Sequence, residues 1–222
     1  MRLSARLHAL AGLIPEGYSV VDVGCDHALL DIYLTLNHKN KCIASDIRPN
    51  VIEIAKQNIL SYRLENQIEL MQSDGLEDIV PPENAVLVIA GMGTSTILSI
   101  LENPKIEQFS YLIIQTNNEW NLLRKQLSLK KFKIIEEQIV LDKNKYYVLM
   151  KWEKGSCHYN QKQCFLGPCL MKQKSSKTYY ETLLEQYLRI DKSIPFHDLY
   201  KKYQVKLKIH WLKKELKALK YL

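Results

Sequence analysis

No stretch of this 222-residue sequence approaches the ~18 uninterrupted apolar residues that a membrane-spanning helix requires. The opening run, Met1 to Arg6, is too polar and turns helical too quickly to read as a secretory signal. Cysteine is sparse: five residues, an odd number without close pairing, argue against a disulfide framework. A reduced compartment follows, and the cytoplasm is the expected location. Three of the five, Cys157, Cys164 and Cys169, stand near His158, but their spacing matches no ligand pattern, so no metal is expected. Glycine is scarce too, with eight residues, and the triple-glycine turn that cradles a pyrophosphate is missing after the first apolar run.

In its place stands Asp22-Val23-Gly24-Cys25-Asp26-His27, directly after the apolar run Tyr18 to Val21 and directly before Ala28 to Tyr33. A strand, a tight glycine turn and a helix start are written there in that order. Roughly twenty residues on, Asp46 closes a second apolar run, the spacing at which a doubly wound α/β domain holds the ribose of an adenosine cofactor. An acidic, glycine-poor turn suits a cation better than a pyrophosphate. The expected cofactor is therefore S-adenosylmethionine, a sulfonium, rather than NAD.

The alternation continues along the chain. Strands are expected over Val20 to Val23, Cys42 to Ser45, Ile68 to Gln72, Val86 to Ala90 and Tyr111 to Gln115, with helices between them. Ser4 reads as the cap of an initial helix over Arg6 to Leu13, and Thr94 or Ser95 as the cap of a helix after the fourth strand. Phe132 to Leu141 and Tyr146 to Trp152 are joined by only four residues, too few for a parallel crossover, so they form an antiparallel hairpin. Five parallel strands closed by such a hairpin describe a class I S-adenosylmethionine-dependent methyltransferase: Rossmann-like, with a mostly parallel seven-stranded sheet. Residues 156–174 read as irregular. Two helical stretches follow, separated at Ser193-Ile194-Pro195, and the second carries a heptad seam of Val205, Ile209, Leu212, Leu216 and Leu219. The expected division is a catalytic domain over 1–155 and a helical, coiled-coil-like domain over 156–222.

Charge follows the same division. Residues 1–155 carry 17 Lys and Arg against 19 Asp and Glu, whereas residues 156–222 carry 14 against 5. A basic tail on a near-neutral body points to a polyanion, most simply RNA or DNA.

The run Leu3 to Leu7, the Asp22-to-Ala28 turn, Ile89-Ala90-Gly91-Met92-Gly93, Gln115-Thr116-Asn117 and Phe165-Leu166-Gly167-Pro168 together resemble the bacterial tRNA (adenine-N1)-methyltransferases of the TrmK type. The resemblance covers nearly the whole chain. It implies methylation of N1 of adenine 22 in tRNA. Two positions depart from the family's pattern: Thr94 stands where a further Gly is usual, and Thr116 where Pro is usual.

From strand-end position and this resemblance together, the expected cofactor contacts are Asp22, Gly24, Cys25, Asp26, His27, Asp46, Ile47, Asp74, Gly75 and Gly91. Asp22 and Gly24 would face the methionine end, Asp46 the ribose, and Asp74 with Gly75 the adenine. Asp26, Met92 and Asn117 are the expected catalytic residues, Asp26 because a carboxylate at the base edge would stabilise the cation that N1-methylation creates. Arg2, Arg6, Gly93, Lys172, Lys174, Lys177, Lys206, Lys213 and Lys217 are expected to hold tRNA. A monomer is slightly favoured. The alternatives are a methyltransferase acting on another RNA base or a non-RNA substrate, and an inactive RNA-binding protein on the same fold.

Overall fold

The computed structural model describes residues 3–220. Helix α1 (Ala5–Leu13) starts where the Ser4 hydroxyl accepts from the Leu7 N–H, and Pro15 stands two residues beyond its end. Strand β1 (Ser19–Val23) follows, then α2 (Leu29–His38), β2 (Cys42–Asp46), α3 (Pro49–Ser61), β3 (Ile68–Gln72), β4 (Ala85–Met92), α4 (Thr94–Ile100), β5 (Tyr111–Thr116) and α5 (Trp120–Leu129). The hairpin β6 (Phe132–Asp142) and β7 (Lys145–Lys154) turns through Lys143 and Asn144, both at positive φ, the geometry of the tight turns that match strand twist.

The seven strands lie in the order β3-β2-β1-β4-β5-β7-β6. Pairs from β3 through β5 are parallel, and β7 enters antiparallel between β5 and β6. This is the expected Rossmann-like methyltransferase sheet. Val86 to Ile89 and Leu112 to Ile114 are fully buried, because helices cover both faces and leave no side of these strands wet. β4 ends in a bulge between Ala90 and Met92, where Gly91 takes a φ of +85°, and this lifts the Gly91–Met92 segment toward the edge where strand ends converge.

Two local expectations are corrected. Residues 156–174 are not irregular throughout: α6 (Gln161–Leu166) forms there behind a capping box in which the Asn160 side chain accepts from Gln163 N–H and the Gln163 side chain accepts from Asn160 N–H. Six residues were too short for a hydrophobic period to show. Neither Thr94 nor Ser95 caps α4, which starts from Gly93 without a side-chain cap. Thr94 is buried instead, with its hydroxyl 2.6 Å from the Asn118 carbonyl oxygen.

The last helices are α7 (Lys177–Ser193) and α8 (Leu199–Ala218). Val205, Ile209, Leu212 and Leu219 of the seam are buried and Leu216 is half-buried. Glu215 is buried among them because Lys162 of α6 meets its carboxylate at 2.8 Å. Phe165, Leu166, Leu170, Tyr180, Leu183, Leu212 and Leu219 belong to the same apolar core as β4, β5 and β7. A small separate cluster of Ile194, Val205 and Ile209 closes the far end of the helical pair.

Candidate active site

The C-terminal ends of β1 to β4 surround a cavity of about 520 Å³, within the range of small-molecule sites. Its walls follow the strands in order: Gly24 and Asp26 after β1, Asp46, Ile47 and Arg48 after β2, Ser73, Asp74 and Gly75 after β3, and Gly91 and Met92 at β4. Seven of the ten expected cofactor residues therefore line one space, as does Met92.

Gly24 shows why its position tolerates no side chain. Its φ is +79°, and a β-carbon built there would run into the Met92 side chain. The two residues press together where β1 and β4 lie side by side. Asp26 and Ala28 also take positive φ, so the turn folds back on itself before α2 begins. Aspartate tolerates that conformation better than most residues. The Asp26 side chain is exposed, with His27 Nε2 at 3.6 Å and Arg48 Nη2 at 3.9 Å.

Asp46 is nearly buried and sits in a fork. Arg48 Nε donates to Oδ1 at 3.0 Å, Nη2 to Oδ2 at 3.1 Å, and the Arg48 backbone N–H to Oδ1 at 3.0 Å. Burial works to raise the pKa of this carboxyl, but the side-chain and backbone hydrogen bonds from Arg48 outweigh it and hold the group below the ordinary carboxylate value. A stable anion at this strand end is what ribose hydroxyls need as an acceptor. Arg48 was missed in the sequence. Its signal was an arginine two residues after the strand-end aspartate and just before Pro49.

Asp22, Cys25 and His27 do not line this cavity. They border a smaller recess of about 70 Å³ behind the Gly24 turn, together with Arg6. Asp22 is buried beside Asp31 of α2. Burial, with the neighbouring Asp31 carboxyl next in weight, pushes the Asp22 pKa well above the usual range. Burial also pushes up the Cys25 thiol, with Asp31 next, so Cys25 is a packing residue rather than a thiolate.

Asn117 lies at the end of β5, and its backbone N–H donates to the Met92 carbonyl at 2.9 Å. Its amide nitrogen donates to the Gly91 carbonyl at 2.6 Å and its amide oxygen accepts from Gln115 at 3.2 Å. Gln115 in turn accepts from Arg6 Nη1 at 2.8 Å. Arg6, Gln115, Asn117 and Gly91 thus form one polar chain across the ends of β4 and β5. Gln115, fully buried in mid-sheet register, gave no sign of this in the sequence. Gly93 stands at the start of α4. Lys172, Lys174, Lys177, Lys206, Lys213 and Lys217 are all exposed, while Arg2 lies outside the described residues.

The cavity fits an adenosyl cofactor with a cationic centre. Three carboxylates, Asp26, Asp46 and Asp74, face two guanidinium groups, and Gly24 and Gly75 hold positive φ where backbone must approach closely. Among the described residues no cluster of three or more His, Cys, Asp or Glu side chains could hold a metal ion. Among the described residues no helix is long and apolar enough to cross a membrane.

Comparison with known proteins agrees with this geometry. A family model described as a methyltransferase domain matches residues 3–150. The tRNA (adenine(22)-N(1))-methyltransferase of Bacillus subtilis is 34% identical over 185 residues, covering 79% of this chain and 78% of that protein. The structure of M. capricolum TrmK with S-adenosylhomocysteine superposes with a TM-score of 0.86 at 28% identity, covering 99% of this chain and 100% of that one. A protein of the NADB-Rossmann superfamily from Streptococcus agalactiae gives a TM-score of 0.89 at 27% identity, covering 97% and 98%.

Proposed function

The chain belongs to the methyltransferase-domain family that includes the tRNA (adenine(22)-N(1))-methyltransferases, and on that premise we propose that it transfers a methyl group from S-adenosylmethionine to N1 of adenine 22 in tRNA. The observation that carries the reading is the single cavity in which the ends of four successive strands place Gly24, Asp46, Asp74 and Gly91 together beside Asp26. A tRNA substrate places the work in the cytoplasm.

The cofactor supplies an electrophilic methyl group. Asp46, kept anionic by Arg48, would accept the ribose hydroxyls, Asp74 and Gly75 would hold the adenine end, and Gly24 would let the backbone approach closely. Adenine N1 carries a free lone pair at neutral pH once the base is unpaired, so no residue has to act as a strong base. The protein's task is to hold the base in line and exclude water. Asn117 and Gln115 fix the Gly91–Met92 segment that forms the wall at the reacting atoms. Methylation leaves the ring cationic, and the exposed Asp26 carboxylate at the cavity mouth is placed to stabilise that charge or to accept a proton from N6.

The test is transfer of labelled methyl from S-adenosylmethionine to bulk tRNA. The wild type transfers label, and Asp26→Asn slows turnover at least tenfold while tRNA affinity holds. A protein that binds the cofactor and labels no RNA would favour a non-RNA substrate. A loss in Asp26→Asn seen only as weaker cofactor binding would remove its catalytic role.

A further inference from the structure

On the far side of Asn117 from the cofactor cavity lies a second cavity of about 270 Å³, which the mechanism above does not use. Its walls come from four elements: Thr116 and Asn117 at the end of β5, Trp120 at the start of α5, Tyr146 and Val148 of β7, and Tyr179 and Leu183 of α7. Tyr146 and Trp120 are half-buried, and Tyr146 stands edge-on to the buried Tyr179 with ring centroids 5.6 Å apart. Asn117, Asn144, Thr182 and Gln186 add polar groups to the lining, and among the described residues no Asp or Glu belongs to it.

We infer that this cavity is a nucleobase receptor for the substrate RNA, taking either adenine 22 itself or the base of an adjoining nucleotide. Aromatic and aliphatic walls present a stacking surface for a flat ring. Amides can both donate to and accept from a base edge. A carboxylate-free lining also distinguishes this space from the acid-rich cofactor cavity. Position supplies the link to chemistry. The two cavities are joined by a hydrogen bond: Asn117, which lines the second, donates its amide to the carbonyl of Gly91, which lines the first. A base extruded at the reacting edge has this slot directly beside it. The α7 wall brings the C-terminal helices into the site itself, beyond any role in holding phosphates. The inference rests on tRNA being the substrate.

Tyr146→Ala removes the stacking wall, Tyr146→Phe keeps it, and Thr182→Phe, at a lining residue of α7, fills the space while leaving Tyr146 intact. Each is measured for S-adenosylmethionine binding, methyl transfer and affinity for a tRNA transcript carrying adenine 22. The same affinities are then taken on transcripts made abasic at position 21, 22 or 23. Tyr146→Ala and Thr182→Phe should each lose roughly tenfold or more in kcat/KM with cofactor affinity unchanged, and Tyr146→Phe should stay near wild type. One abasic transcript should bind the wild type more weakly and Tyr146→Ala no more weakly than the intact transcript does, which identifies the base in the slot. Losses that add at all three positions, or full activity in both Tyr146→Ala and Thr182→Phe, would overturn the receptor. A wild type that binds tRNA and methylates nothing would count against the proposed reaction, and the abasic series would still decide the slot.

Discussion

Behind the Gly24 turn, Asp22 and Asp31 lie buried together, and among the described residues no donor is paired with either Asp31 carboxyl oxygen. Burial pushes the Asp31 pKa up to about 7 and raises that of Asp22 well above the usual range. In the unfolded chain an aspartate titrates near 4. Between about pH 4 and about pH 7 the folded state therefore holds protons that the unfolded state has lost, and stability falls as pH rises through that window. Asp31→Asn removes its share of that loss. The variant should melt above wild type at pH 8, and the difference should shrink on approach to pH 4.5. A melting difference that does not change with pH would dissociate Asp31 from the effect. Asp22 was legible as a strand-end acid, but its partner was not. Asp31 occupies the first turn of α2, where an acidic residue is ordinary in a sequence, and only the fold brings the two together.

At the scale of elements, the segment Phe165-Leu166-Gly167-Pro168 is clamped to the sheet by a buried ion pair. Arg124 of α5 and Glu137 of β6 are both fully buried, with Nη2 2.7 Å from Oε1. Arg124 Nη1 also donates to the Cys164 carbonyl, and Glu137 Oε2 accepts from the Cys169 N–H at 2.9 Å. Gly167, at a φ of +98°, leaves room for both side chains, since a β-carbon there would approach each within 2.8 Å. Removing one partner strands a buried charge. Glu137→Ala should cost about 3–5 kcal/mol in denaturant unfolding. Glu102→Ala, which breaks an exposed pair with Lys130, should cost less than ~1 kcal/mol. Equal costs would contradict the clamp. The strands, the hairpin and the heptad seam were readable because apolar period and linker length act locally. The clamp was not readable, since its partners lie 13 to 40 residues apart and look like ordinary surface charges. The two departures from the family pattern, Thr94 and Thr116, meet across the sheet edge with hydroxyls 2.8 Å apart. No reading of either position alone shows that.

For the whole molecule, the basic segment after residue 155 is wound into the core rather than hung from it, so ending the chain there would remove Leu166, Leu170, Tyr180 and Leu212 and uncover the sheet residues that share their core. Its role in holding tRNA is better tested on the exposed lysines. Changing Lys206, Lys213 and Lys217 to Ala should weaken tRNA binding, leave cofactor affinity unchanged and lower the salt slope by about one for each phosphate contact removed. An unchanged slope would place the phosphate contacts elsewhere. The molecule as a whole serves one reaction at one atom. A transcript carrying adenine 22, incubated with S-adenosylmethionine and the protein, should yield 1-methyladenosine mapped by nucleoside mass spectrometry to position 22, and a transcript with guanine there should yield none. Methylation at another nucleoside or position, or equal methylation of both transcripts, would contradict it.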